Sequence, residues 1–220
     1  MFAASAPNPS SGPQRLMSRR HGALSAVRPA FRASTSCVVA CLSPGVLLAA
    51  LEPTTGLALW RRSTRAGLHR AIQAALALAP FCEVADGPPD QAARALLRGM
   101  PVAMRPLGAD IMLLGRLFTT LTGSLTVRLR LEHVTDDACR KHHVDAVGLR
   151  LLCTYAGLGT EWIDPDRKPC RMAVFDVGVF KGSKFPDAAP RILHRSPPVE
   201  HLPQRRRSRL LLCVDQPGVF

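Results

Sequence analysis

Aromatic residues are scarce in this 220-residue sequence: one tyrosine, two tryptophans and eight phenylalanines, 5% in all. Base stacking, which single-stranded nucleic acid needs, has little to work with. Long apolar runs are also missing. A bilayer-spanning helix takes about 20 residues, yet Val38 to Ala50 is broken by Ser43-Pro44-Gly45, and Val46 to Leu51 runs straight into Glu52-Pro53. No membrane partner is expected. A glycine-rich phosphate loop and an internal repeat are both absent. Cysteine pairs at zinc-site spacing are lacking too. Cys37-x-x-x-Cys41 has no second pair to match it, and the total of seven is odd. Several thiols sit in apolar runs, as in Leu151-Leu152-Cys153 and Leu211-Leu212-Cys213. That suits reduced, buried cysteines in a cytoplasmic protein better than a disulfide framework.

Acid is missing from one region in particular. Residues 1–51 carry Arg15, Arg19, Arg20, Arg28 and Arg32 and no Asp or Glu. This aperiodic leader, rich in Ser, Ala, Pro and Arg, reads as a disordered extension over 1–44. Its composition fits a signal region, a transit peptide, or a start codon assigned too far upstream. Overall, 29 Lys and Arg against 16 Asp and Glu leave a net charge of +13. The excess lies in the leader and in Arg205, Arg206, Arg207 and Arg209, the first three on a solvated loop. A tail and one loop do not make a nucleic-acid face.

With 47% hydrophobic residues the chain has enough apolar material for one domain with a core, or one domain plus a helical lobe. From residue 45 to 123 the apolar period is helical. Leu68, Ile72, Ala75, Leu76 and Ala79 share one face, and Pro80 closes that helix. Asp86-Gly87-Pro88-Pro89-Asp90 reads as a turn with Asp90 as the next N-cap, and Ala93, Leu96, Leu97 and Met100 form the stripe after it. A third helix runs from about Leu107 to Thr122, with Gly123 as its cap. Leu57 to Trp60 is a short strand or docking segment. After Gly123 the period switches to two. Strands are expected at Val127–Val134, Val147–Tyr155, Met172–Phe180, Ile192–His194 and Arg209–Val214, with Glu161 and Trp162 in a turn. The expected fold is α+β, with a helical lobe over 45–123 and a β-rich domain over 124–220.

Specific words appear in the second half. Cys139-Arg140-Lys141-His142-His143-Val144-Asp145 precedes Leu149-Arg150-Leu151-Leu152-Cys153-Thr154-Tyr155 and Gly157-Leu158-Gly159-Thr160-Glu161-Trp162. Phe180-Lys181-Gly182 and His194-Arg195-Ser196-Pro197-Pro198 follow. Together they resemble the bacterial domain of unknown function 1826 family. The likeness runs from about Val46 to the end and is strongest from Val127 to Asp215. His142 and Leu158 depart from the pattern, at positions where an aromatic or apolar residue and a proline are expected. The family resemblance implies no activity, so chemistry rests on the residues.

His143-x-Asp145 places two metal ligands on one side of a strand end, because residues two apart share a face. His194 follows at another strand end. Two His and one carboxylate with open positions opposite is the arrangement that holds Fe(II) in non-haem oxygenases. The order His-x-Asp, distant His, then a basic residue on the next strand is similar to the 2-oxoglutarate-dependent oxygenases. Those are double-stranded β-helices, a cupin-like antiparallel sandwich, and their late basic residue pairs with the far carboxylate of 2-oxoglutarate. That resemblance implies Fe(II) and 2-oxoglutarate as cofactors, oxidoreductase activity on an unidentified substrate, and Arg209 as the basic residue.

Alternatives stay open. The same three ligands suit Zn(II) in a non-enzymatic metal-binding or metal-homeostasis protein. Arg209 has Glu132, Asp145 and Asp215 as structural partners to choose from. Cys139 with His142 or His143 makes a thiol–imidazole pair, but no oxyanion donor goes with it. We expect His143, Asp145 and His194 to converge at the mouth of the β domain, where a core formed by Leu149, Leu151 and Cys153 opens, with Arg209 facing the same cavity.

Overall fold

The computed structural model describes residues 37–63 and 66–218. Ten strands make two sheets: β1 (Val38–Cys41), β2 (Leu57–Trp60), β3 (Phe81–Gly87), β4 (Val127–Val134), β5 (Leu149–Ala156), β6 (Glu161–Ile163), β7 (Pro169–Arg171), β8 (Val177–Lys181), β9 (His194–Arg195) and β10 (Arg209–Asp215). The major sheet has the order β1-β2-β8-β5-β10-β4-β3, and the minor sheet β7-β6-β9. His143 adds an antiparallel bridge to His194 at the β9 edge. From β4 onward the chain alternates between the sheets: β4 in the major, His143 on the minor, β5 in the major, β6 and β7 in the minor, β8 in the major, β9 in the minor and β10 in the major. That winding is a double-stranded β-helix, and an apolar cluster that includes Leu57, Leu59, Leu152, Leu211, Trp162 and Ile192 joins the two sheets.

The outer face of the major sheet carries the helices α1 (His69–Leu76), α2 (Pro89–Leu96) and α3 (Arg105–Thr122). Strand periodicity explains the division. Val127, Leu129 and Leu131 of β4 and Leu210, Leu212 and Val214 of β10 pack against the helical layer with Leu107, Ile111, Leu114 and Phe118. The residues between them face the barrel. Gly123 ends α3 in the left-handed region, at φ 68°, as expected.

Several expectations need correction. The helices do form a layer on a β-rich body, but 45–123 is not separate from 124–220, because that stretch also supplies β2 and β3 to the same sheet. Phe81–Gly87 lacks a helical or alternating apolar pattern because it is an edge strand with most side chains exposed. Val38–Cys41, within the stretch expected to be disordered, pairs in parallel with β2; residues 1–36 lie outside the described residues. The N-cap of α2 is Pro88, and Asp90 lies in the first turn, where it pairs with Arg116. Glu161 and Trp162 belong to a strand, not a turn. No helix among the described residues is long and apolar enough to cross a membrane.

A buried polar junction ties the helical layer to the sheet. Arg62, just beyond β2, makes two 2.7 Å bonds to the Asp110 carboxylate on α3 and donates from Nε to the Phe175 carbonyl. The Tyr155 hydroxyl of β5 donates to Asp110 at 2.9 Å. Burial pushes the Tyr155 hydroxyl well up, so it remains a donor. Removing Asp110 leaves a buried guanidinium without its counter-charge, so Asp110→Ala should cost about 3–5 kcal/mol in urea unfolding. A loss under about 1 kcal/mol would show that this junction does not hold the layers together.

Candidate metal centre

The site is built where the minor sheet meets the barrel interior. His143 and His194 exchange two backbone hydrogen bonds, each 3.0 Å, so their side chains lie beside one another with ring centroids 4.8 Å apart. Phe180 lies against His194 at 4.5 Å between ring centroids. Asp145 sits just before β5, in a turn where Gly182 packs closely. A Cβ on Gly182 would come within 2.1 Å of the Val147 carbonyl and 2.8 Å of the Asp145 carbonyl, which restricts this position to glycine. One donor atom from each of His143, Asp145 and His194 lies within 4.8 Å of the others. The expected cluster is therefore present as geometry.

Ring orientation says more than proximity does. His143 Nδ1 is 2.9 Å from the Lys141 carbonyl, and His194 Nδ1 is 3.2 Å from the Ile192 carbonyl. A carbonyl only accepts, so each Nδ1 donates its proton there, and a ring with no second proton has its lone pair on Nε2. Those Nε2 atoms face Asp145, His194 at 2.9 Å from Oδ2 and His143 at 3.6 Å from Oδ1. Lone pairs facing a carboxylate repel unless a cation, either a proton or a metal ion, stands between them. Backbone carbonyls holding the outer ring nitrogens are the usual support of metal-binding imidazoles. Ligands at about 2.0–2.2 Å around an octahedral ion lie about 3 Å apart; the His194–Asp145 pair matches this, and the wider pairs, up to 4.8 Å, would draw in around an ion. The residues thus fit a divalent metal. Burial alone would raise the Asp145 carboxyl, but His194, Arg150 and His143 hold it below its ordinary value.

A cavity of about 130 Å³ adjoins the cluster, lined in part by Arg130, Glu132, Arg150, Thr160, Ser196 and Leu211. The expectation that Leu149, Leu151 and Cys153 point to this opening fails as to face. They pack toward the helices, and the site lies on the opposite side of β5, with Arg150 and Leu152. Arg209 does share the parity of Leu211 and Cys213, which lie in the barrel cluster. It does not itself line the cavity. Its guanidinium sits behind the wall, bonded to the Ser196 hydroxyl at 2.7 Å, the Leu158 carbonyl at 2.6 Å, and the Thr154 and Thr160 hydroxyls at 3.4 Å. The turn after β5 packs tightly against it. Gly157, at φ 82°, would place a Cβ 2.2 Å from the Ser208 carbonyl.

Arg209 is 2% exposed, and among the described residues no carboxylate lies within ion-pair distance of it. Asp145 and Asp215 are taken by Arg150, and Glu132 stands 3.4 Å from Arg130. Burial pushes the Arg209 guanidinium down to about 10, against the opposing pull of Glu132, Cys139 and Glu161. Sequence reasoning missed Arg150 and Asp215 as site residues. Cys139 lines the cavity but stands outside the ligand cluster, and His142 does not line it.

The family model described as "Protein of unknown function (DUF1826)" matches residues 42–215. The chain belongs to this family. Nothing among curated proteins matches it. Among solved structures it is similar to a Pseudomonas putida prolyl-4-hydroxylase, at 14% identity over 80% of this chain and 99% of the other, with a TM-score of 0.47. A Caulobacter crescentus protein described as of the 2OG-Fe(II) oxygenase family is similar at 16% identity over 79% of this chain and 80% of the other, with a TM-score of 0.46.

A metal that binds the folded state alone stabilises it by about 2.7 kcal/mol at a hundredfold excess over Kd. Mn(II) added to metal-free DUF1826 protein should therefore raise the melting temperature. His143→Ala and His194→Ala should each abolish the rise while keeping the metal-free melting temperature within a few degrees. A rise that survives both substitutions together would place the metal elsewhere.

Proposed function

We propose that this DUF1826 protein is a mononuclear non-haem Fe(II) enzyme that uses 2-oxoglutarate as co-substrate. His143, Asp145 and His194 would hold the ion, leaving open positions on the cavity side. When bound, Fe(II) with 2-oxoglutarate and O₂ supplies a two-electron oxidation of the substrate, coupled to conversion of the 2-oxo acid to succinate and CO₂. The observation that carries the reading is Arg209: a buried guanidinium without a carboxylate partner among the described residues, beside a cavity with a two-histidine, one-carboxylate cluster.

Charge points the same way. The groups facing the barrel include Arg130, Arg150 and Arg209 against Glu132, Asp145 and Asp215. These six balance before a metal arrives. A divalent ion adds two positive charges in a poorly solvated site, and a dicarboxylate offsets them. One carboxylate would meet the metal side and the other the Arg209 side, where the guanidinium charge lies behind the hydroxyls it bonds. The Ser196 and Thr160 hydroxyls line the cavity and bond the same guanidinium, so they stand between Arg209 and any ligand and would orient its far end. The chain's own work is to bind, orient and keep bulk water from the ion.

The test is reconstitution without oxygen, followed by measurement of succinate after O₂ is admitted. The wild type should form succinate only with both Fe(II) and 2-oxoglutarate. Arg209→Gln should keep metal affinity within about threefold and weaken 2-oxoglutarate by at least about 30-fold, the scale of truncating one partner of a buried charge pair. Metal binding with no 2-oxoglutarate binding would instead support a Zn(II) site in a metal-homeostasis protein.

A further inference from the structure

Arg150 has no role in the reading above beyond its charge, yet it is the best-anchored side chain at the site. It projects from β5 into the barrel, in a strand otherwise composed mostly of apolar residues. Its Nε and Nη2 donate to the two oxygens of Asp215, both at 2.8 Å, and its Nη1 donates to Asp145 Oδ1. Side-chain exposure along this chain is low: 4% for Asp215, 11% for Arg150 and 8% for Asp145. Two of the three guanidinium nitrogens are thus used to hold the group still, and the third is aimed at the proposed metal carboxylate.

We propose that the Asp215–Arg150 pair is a positioning device that fixes which oxygen of Asp145 meets the metal; this rests on the three-ligand site above. A free carboxylate can rotate about its χ2 bond and offer either oxygen, or both, to an ion. Here Arg150 occupies Oδ1, leaving Oδ2, the oxygen already 2.9 Å from His194 Nε2, as the metal ligand. One-oxygen binding keeps a coordination position open for a co-substrate that a two-oxygen carboxylate would close. A lone arginine would also repel a divalent cation. Asp215 removes that difficulty, because its charge cancels the guanidinium's while its two bonds set the plane. Lysine cannot substitute, since an ammonium has no planar fork with which to bridge two carboxylates. The pair is sequence-distant: Asp215 closes β10, and the β10–β5 pairing brings it beside Arg150.

The test separates position from charge. The double substitution Arg150→Met with Asp215→Leu removes the pair without changing net charge, and exchange of a buried ion pair for apolar groups is often neutral for folding. Asp215→Asn is nearly isosteric and gives a second variant should the double one fail to fold. Mn(II) affinity is read by calorimetry, and coordination by the visible absorption of the Co(II)-substituted protein. Wild type should bind one ion. Mn(II) affinity should fall about 10–100-fold in the double variant, the scale seen when second-shell partners are lost, and the Co(II) spectrum should change shape. Asp215→Asn should weaken Mn(II) by about tenfold, because Arg150 keeps its charge and loses one of its two carboxylate partners. Wild-type affinity and an unchanged Co(II) spectrum in the variants that fold would overturn the positioning role while leaving the metal site intact. A wild type that binds no ion would overturn the site and the positioning role together.

Discussion

The Asp145 carboxylate is placed where the two sheets of the barrel meet, largely removed from water, and much of the surrounding structure answers to that. A buried carboxylate needs counter-charge or hydrogen bonds. His194 approaches Oδ2 from β9, Arg150 takes Oδ1 from β5, and His143 stands 3.6 Å away on the neighbouring bridge. Arg150 in turn requires Asp215 at the end of β10. One carboxylate thereby links β5, β9, β10 and the His143 segment, which are the parts that must hold station if a metal is to find its ligands.

The major sheet separates two tasks by strand parity. On its outer face Leu129, Leu131, Leu151, Leu210 and Leu212 join the helices in a continuous apolar core. On its inner face the same strands present Arg130, Glu132, Arg150, Arg209 and Asp215. Hydrophobic burial outside can stabilise a barrel whose interior is charged, and charges inside are what a site for an ion and an anion requires. Arg209 shows the tension most clearly. Its bonds to hydroxyls and a carbonyl satisfy its protons but not its charge, which costs stability and leaves a charge that a bound anion would offset.

Much of this was legible in the sequence, and the failures have physical causes. Strict alternation over Val127–Val134 marked β4. His143-x-Asp145 marked two side chains that converge, and the parity of Arg209 with Leu211 and Cys213 marked it as interior. Phe81–Gly87 was missed because an edge strand that exposes most of its side chains carries little periodic signal. The three-residue strands β6 and β7 were missed because so short a segment shows no period at all. The face of the site on β5 was misjudged because both faces of that strand are mostly apolar, so Leu149, Leu151 and Cys153 looked inward when they pack on helices. Arg150 went unread since its meaning depends on Asp215, 65 residues away, a contact that only the β10–β5 pairing makes.

The central claim is that a metal ion and a dicarboxylate bind as a coupled pair inside this barrel, because the interior is charge-balanced without either. Binding free energies of two linked ligands must be reciprocal, so the claim is tested most directly by titrating 2-oxoglutarate calorimetrically into protein with and without saturating Mn(II). The metal should tighten 2-oxoglutarate by at least about tenfold, a coupling of about 1.4 kcal/mol. Equal affinity in the presence and absence of metal would contradict the claim.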